Sequence, residues 1–151
     1  MKIGLLTIHN TQNYGSLLQT YSTYKALHKL GLDIDLIDYR NDAITRREKP
    51  NDLVESISVK QIVKYFIWGN AQKRKYNSIM QFLKENTSMS PEYDKTSIVN
   101  ANKVYEGFIV GSDIVWGTNI TGRDMTYFLD FTSDDKKRYS FSSSIGTKWT
   151  S

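Results

Sequence analysis

Two hydrophobic periods alternate along this chain, and the changes from one to the other mark its elements. Residues 3–8, IGLLTI, form an apolar run bounded by polar residues, the pattern of a strand buried on both faces. A polar loop, HNTQNYGS, follows. Leu17, Tyr21, Tyr24, Leu27 and Leu30 then recur three or four residues apart, which predicts an amphipathic helix with Gly31 at its C-cap. The stretch LDIDLIDYR predicts a second strand, in which Ile34 and Leu36 alternate with Asp33 and Asp35. Strand, helix and strand within about 40 residues make a βαβ unit, which requires a parallel sheet and a right-handed crossover.

Residues 41–51 are polar and predict an irregular loop broken at Pro50. Val59, Ile62, Val63, Phe66 and Ile67 return to helical spacing, Trp68-Gly69-Asn70 interrupts it, and Tyr76, Ile79, Met80 and Leu83 resume it. Pro91 marks a further break, and residues 95–102 suit a short helix. A strand is predicted at residues 108–110, a looser stretch around Gly117 and Gly122, a short strand at YFLDF (127–131), and a last strand at RYSFSSS. No helix follows that strand to cover the sheet on its side, and the chain contains no repeat or low-complexity tract.

Composition narrows the chemistry. The chain has 151 residues, 39% apolar and 24% charged, which fits one folded domain. Its net charge of +4 is scattered, and the patches at Arg46-Arg47-Glu48-Lys49 and Lys73-Arg74-Lys75 read as solvated surface, so no nucleic-acid partner is expected. The absence of cysteine excludes a thiol nucleophile, a cysteine-zinc site and disulfides. The two histidines, His9 and His28, are too far apart in sequence to suggest a metal cluster, and none is expected. With neither a signal-peptide pattern nor an apolar run long enough to span a bilayer, the expected location is the cytoplasm.

In open parallel sheets, ligands bind at the carboxyl ends of strands. Three segments end in suitable chemistry there: His9 to Ser16, Gly111 to Asp113, and Ser142 to Gly146. Asn13, Tyr14, Gly15 and Ser16 can open a helix with backbone N–H groups toward an anion, or simply cap it. Asp38 falls about twenty residues past Gly15, where a ribose-binding acid belongs in a dinucleotide fold, but the loop has one glycine where three are needed. His9 suits a general acid or base role, an anion contact, or a satisfied structural position. Ser112 and Asp113 suit either a cap on the next helix or contacts to sugar hydroxyls. Trp116 suits either stacking on a sugar or filling the core, and nothing links Ser112 to His9 as a nucleophile pair.

IGLLTIHNTQNYGSLLQTYSTYKAL at 3–27, IDYR at 37–40, FIVGSDIVW at 108–116, YFLDF at 127–131 and YSFSSSIG at 139–146 together resemble the polysaccharide pyruvyl transferase family. The sequence departs from the family pattern at Ile114, where glutamine is common, at Gly117, where asparagine is usual, and at Glu106-Gly107 before the third strand. The resemblance implies an α/β, Rossmann-like parallel sheet flanked by helices, similar to the N-terminal half of a glycosyltransferase-B-like fold. Residues 1–151 then form a single domain, the N-terminal part of a longer two-domain protein whose C-terminal domain is missing here.

The activity implied is pyruvyl transfer to a sugar or glycan acceptor of a cell-surface polysaccharide, as in exopolysaccharide biosynthesis. Phosphoenolpyruvate is the co-substrate and no further cofactor is implied. A lipid-linked acceptor would bring the protein to the membrane periphery. The substrate-binding residues expected are His9, Asn13, Tyr14, Gly15, Gln19, Gly111, Ser112, Asp113 and Trp116, in contact and loop-shaping roles. The competing expectations are a non-catalytic anion- or sugar-binding module and a truncated fragment without function.

Overall fold

The computed structural model describes residues 1–48 and 69–146. Its elements are β1 (Lys2–Leu6), α1 (Tyr14–Lys29), β2 (Asp33–Tyr39), α2 (Asp42–Glu48), α3 (Asn70–Asn86), β3 (Met89–Tyr93), a 3-10 helix (Ile98–Lys103), β4 (Gly107–Asp113), a single-turn α4 (Thr118–Thr121), a second 3-10 helix (Met125–Phe128) and β5 (Lys137–Ser143). The strands form one sheet in the order β3-β2-β1-β4-β5, and every pairing is parallel. This is the Rossmann-like α/β architecture.

Alternate residues of the central strands feed two cores, because side chains leave a strand on opposite faces with period two. Ile3, Leu5, Ile34, Leu36 and Ile109 meet Leu17, Tyr24 and Leu27 of α1 and Ile79 and Leu83 of α3. Leu6, Ile37, Tyr39, Phe108 and Val110 meet Ile44 of α2, Ile98 and Ala101 of the first 3-10 helix, and Val115, Tyr127 and Leu129 beyond β4. The β1–β2 connection, α1, therefore runs over one face and the segment after β4 over the other, while the β2–β3 connection places α2 on the latter face and α3 on the former.

The β1-α1-β2 unit forms as the periodicity predicts, with Gly31 at φ +83° just past the helix. Leu30 is the exception on the predicted stripe. It sits at the C-cap and is 77% exposed, because the apolar face ends one turn earlier at Leu27. Within β2 the polar residues do not alternate outward. Asp35 and Asp38 are both buried, since β2 lies between β1 and β3 with both faces covered.

Four other expectations change. Residues 42–48 are helical rather than irregular: Asn41 Oδ1 accepts the Ile44 N–H at 2.9 Å and caps the turn. Pro91 lies inside β3, where it is tolerated because β3 is an edge strand and its register with β2 shifts there; Ser90 Oγ accepts the Asp38 N–H at 2.9 Å in the gap. The strand predicted at 127–131 is the end of a 3-10 helix. Asp124 caps Thr126, Leu129 takes φ +60°, and the in-out alternation of Tyr127, Phe128 and Leu129 comes from the turn. The predicted strand at 108–110 extends through Asp113.

The helical repeat at residues 59–67 and Trp68 lie outside the described residues. Its resumption is α3, which buries Ile79, Met80 and Leu83 and leaves Lys73 and Arg74 in water as expected. Among the described residues, no helix is long and apolar enough to cross a membrane. On β5, Tyr139 and Phe141 stand on the α1 side of the sheet, opposite Ile109 and Gly111, and remain 43% and 48% exposed.

Gly111 carries a local constraint on the β4–β5 ladder. Its φ is +125°, and a Cβ there would overlap the carbonyl oxygen of Phe141 on the neighbouring strand. Gly111→Ala should therefore destabilise the domain by about 3 kcal/mol or more, the sum of backbone strain and overpacking. Denaturant unfolding of the two proteins measures the difference.

Candidate functional site

The sheet reverses its direction of winding between β1 and β4. The chain leaves β1 toward β2 and leaves β4 toward β5, so the loops after these neighbouring strands diverge and open a crevice at the carboxyl edge. Such switch points are where open α/β sheets bind ligands. The first two of the three candidate loops, and the start of the third, meet there.

Asn13 caps α1: its Oδ1 accepts the Gly15 N–H at 2.8 Å, and its own N–H donates to Thr11 Oγ1 at 3.1 Å. Ser16, in the first turn, points inward. Its Oγ lies 2.8 Å from the Ile8 carbonyl and 3.0 Å from Asp113 Oδ2, so one hydroxyl proton serves two acceptors, one on the loop after β1 and one at the end of β4. A carboxylate beside the first turn of a helix is also electrostatically favoured.

Asp113 itself has φ +102°, and its Oδ1 accepts the N–H of Ile114 at 2.8 Å. A non-glycine residue in this region is strained, and such strain clusters at functional sites. Ser112 is buried, its Oγ 2.8 Å from Thr23 Oγ1 on α1 and its carbonyl accepting from Thr7 Oγ1 at 3.0 Å. Neither residue caps the following helix: α4 begins after Gly117 with no side-chain cap. Gly111-Ser112-Asp113 therefore fastens β4 back onto α1 and leaves Asp113 half-buried at the rim.

The third loop joins through backbone bonds. Ser144 N–H donates to the Asp113 carbonyl at 3.0 Å, and Trp116 N–H donates to the Ser144 carbonyl at 3.2 Å. Ile114, at a position where the resemblance led us to expect glutamine, packs between Gly117 and Gly146, where a Cβ would collide with its side chain. Tyr14 is exposed, with Lys75 Nζ 4.4 Å from its ring centroid, a cation–π contact between α1 and α3. Gln19 is half-buried on α1.

His9 is set apart from this group. It is completely buried, with Nε2 3.0 Å from Asp38 Oδ1 and Nδ1 3.3 Å from the Thr7 carbonyl. Both ring nitrogens face oxygen acceptors, so no lone pair is open to a ligand. Asp38 in turn accepts Arg40 Nη2 at 2.9 Å, while Arg40 Nη1 donates to Tyr76 at 2.6 Å. Asp38 is buried with both carboxylate oxygens engaged by protein donors, which closes it to a ribose. Burial pushes the Asp38 carboxyl up, but the hydrogen bond and charge of His9, with the Arg40 guanidinium, outweigh it and hold the carboxyl below its usual range.

A second buried polar group was not legible as a site feature. Tyr39 donates to Asp124 Oδ2, Asn41 Nδ2 reaches the same oxygen at 2.7 Å and the Thr121 carbonyl at 3.0 Å, and Asp124 Oδ1 accepts the Thr126 N–H at 3.0 Å. It ties the end of β2 to the segment after β4. Burial and the adjacent Asp124 raise the Tyr39 hydroxyl well above its usual value. The one sequence signal was Asp124-Met125-Thr126, the spacing of an Asp side chain that caps its own turn. Among the described residues, no group of three or more His, Cys, Asp or Glu side chains is placed to hold a metal ion.

The His9–Asp38–Arg40 chain has a measurable pH signature. The folded Asp38 carboxyl titrates below its unfolded value of about 4, so the pairing contributes fully above that pH and is lost as pH falls through the folded value. Asp38→Asn should cost about 3 kcal/mol at neutral pH, because it takes the carboxylate from the largely buried Arg40 guanidinium, and should flatten the acid side of the stability curve. Urea unfolding of both proteins between pH 3 and 7 tests this.

Comparison with known proteins bears on the same segments. The family model described as polysaccharide pyruvyl transferase matches residues 13–151, which takes in α1, the β4 motif and β5. Searches of curated proteins and of solved structures return no match. With the match covering all but the first twelve of 151 residues, the chain belongs to the polysaccharide pyruvyl transferase family.

Proposed function

We propose that this chain forms the acceptor-facing wall of a pyruvyl-transfer site, with phosphoenolpyruvate as donor and a hydroxyl pair on a cell-surface glycan as acceptor. The observation that carries the reading is the convergence of Ser16, Ser112 and Asp113 at the β1–β4 switch point. A carboxylate braced at the rim by buried hydroxyls suits a neutral, hydroxyl-rich ligand. Asp113 is the group placed to accept a proton from an attacking sugar hydroxyl, and Asn13 and Gly15 shape the loop beside it. His9 acts by positioning, through Asp38, rather than by touching substrate.

Transfer requires two additions at the donor's C2. One sugar hydroxyl adds there while the methylene carbon takes up a proton, and the second displaces phosphate to close the ketal. The donor's carboxylate and phosphate need converging cations. Arg40 is committed to Asp38 and Glu92, and Arg47 to the carbonyls of Asn119 and Ile120. We therefore assign donor binding and the acid that protonates the methylene carbon to a second, C-terminal domain, and membrane association to a lipid-linked acceptor.

The test incubates phosphoenolpyruvate and candidate glycans with two proteins, the 151-residue chain and a form extended by a second α/β half. Phosphate release and the ketal methyl signal in proton NMR are the readouts. Turnover is expected only from the extended form, reduced about 100-fold or more by Asp113→Asn, in the range of a lost general base. Turnover by the 151-residue chain alone would sink the division of labour proposed here.

A further inference from the structure

We infer that Ser16 is the positioning residue of Asp113. Its hydroxyl donates to the Asp113 carboxylate while that group is charged, and turns to the Ile8 carbonyl once the carboxyl carries a proton. The inference rests on the acceptor reading above and adds to it the oxygen that takes the proton and the side chain that answers it. The Ser16 Oγ stands 3.0 Å from Asp113 Oδ2 and 2.8 Å from the Ile8 carbonyl oxygen, and Ser16 is buried. A hydroxyl has one hydrogen, which rotates, and lone pairs that accept. The two acceptors therefore compete for one donor.

The two oxygens of Asp113 are held differently. Oδ1 accepts the Ile114 N–H at 2.8 Å, and a backbone donor cannot turn away, so Oδ1 stays an acceptor throughout. Oδ2 faces the donor that can leave. Among the described residues no charged side chain pairs with Asp113, so the hydroxyl meets the carboxylate charge without a competing cation. Trp116, another sequence-based candidate, spends its Nε1–H on the Tyr127 carbonyl at 3.0 Å. A hydrogen bond to an ionised acceptor is roughly twice as strong as a neutral one. The Ser16 hydrogen therefore belongs to Asp113 while the carboxylate is charged.

Proton uptake reverses this. As a sugar hydroxyl oxygen bonds to the donor's C2, its O–H bond breaks and the proton passes to Oδ2. The carboxyl loses its charge, the Ser16 hydrogen swings to the Ile8 carbonyl, and the Ser16 Oγ is left to accept. The seam keeps its polar groups paired in both states and avoids an unsatisfied buried group. Release of the proton to water with the product restores the first arrangement. Ser16 keeps its place because it lies in the first turn of α1, whose start the Asn13 cap fixes. The Thr23 and Ser112 hydroxyls, 2.8 Å apart, fix the strand side of the same seam.

The experiment follows the Ile8 carbonyl and the Asp113 carboxyl by isotope-edited carbon NMR in the 151-residue chain, across the acidic range in which it stays folded. Ile8 should shift with the same midpoint as Asp113, as its carbonyl gains the Ser16 hydrogen. Ser16→Thr should keep the shared step, and Ser16→Ala should lose it at Ile8 alone. Asp113→Asn should lose it too, and this variant leaves α1 untouched if Ser16→Ala does not fold. An Ile8 carbonyl that does not titrate overturns the inference. So does an Ile8 step that survives Asp113→Asn, whose source is then another group such as the neighbouring His9. In the extended form, Ser16→Ala should lower kcat about tenfold with KM for the glycan unchanged, and should add nothing in the Asp113→Asn background. Additive losses overturn a role exerted through Asp113. Turnover insensitive to Asp113→Asn sinks the acceptor reading, while the Ile8 step still reports the Ser16 turn.

Discussion

The Ser16 hydroxyl, lodged between the Ile8 carbonyl and the Asp113 carboxylate, is the contact on which the carboxyl edge of this sheet depends. It links the loop after β1, the first turn of α1 and the end of β4, three segments the topology would otherwise send apart. A parallel sheet needs cover on both faces, and the change of face at β1–β4 opens a gap between the covering layers. Ser16 and Ser112 close the bottom of that gap with hydroxyls, which meet several acceptors at once in little space. What remains open at the rim is Asp113, its conformation maintained by the contacts around it.

The same economy explains the buried acids. Asp35 is met by Lys2 Nζ at 2.8 Å, Tyr105 Oη at 2.9 Å and Ser88, and Asp38 by His9 and Arg40. A charge inside a sheet is tolerated only when each lone pair finds a donor, and each set here reaches across strands and loops. Burial pushes the Asp35 carboxyl up, while the bonds from Lys2, Ser88 and Tyr105 bring it below its usual range. The polar groups of β2 therefore lock its register against β1 and β3 as firmly as Leu36 and Ile37 fill the two cores.

These two cases show what could be read in advance. The βαβ start was legible because Leu17, Tyr24 and Leu27 recur with a period that only a helix satisfies, and the loops at 13–16 and 111–113 were legible as strand ends. The alternation of Asp33 and Asp35 with Ile34 and Leu36 is the usual sign of a half-exposed strand, yet Asp35 is buried, and the partners of Asp35 and Asp38, Tyr105 and His9, lie far away in sequence. The turn at Met125–Phe128 was missed for a related reason. A 3-10 turn followed by a left-handed Leu129 yields the same in-out order as a strand, and only the Asp124 cap distinguishes them.

The rim that results is stiff, and its charges are largely spent. Gln12 bonds Glu48 through both its backbone N–H and its side-chain amide at 2.8 Å, Arg47 Nη2 reaches the Ile120 carbonyl at 2.8 Å, and Asn41 reaches Thr121. These bonds brace the loop after β1 to α2 and α2 to α4, so the rim need not be organised at the moment of binding. A donor bearing a carboxylate and a phosphate would find Arg40 and Arg47 committed to protein partners and a carboxylate at the switch point. A neutral sugar would find Asp113, half-buried at the rim. The proposed division, with acceptor recognition in this domain and donor recognition in another, rests on this distribution of charge.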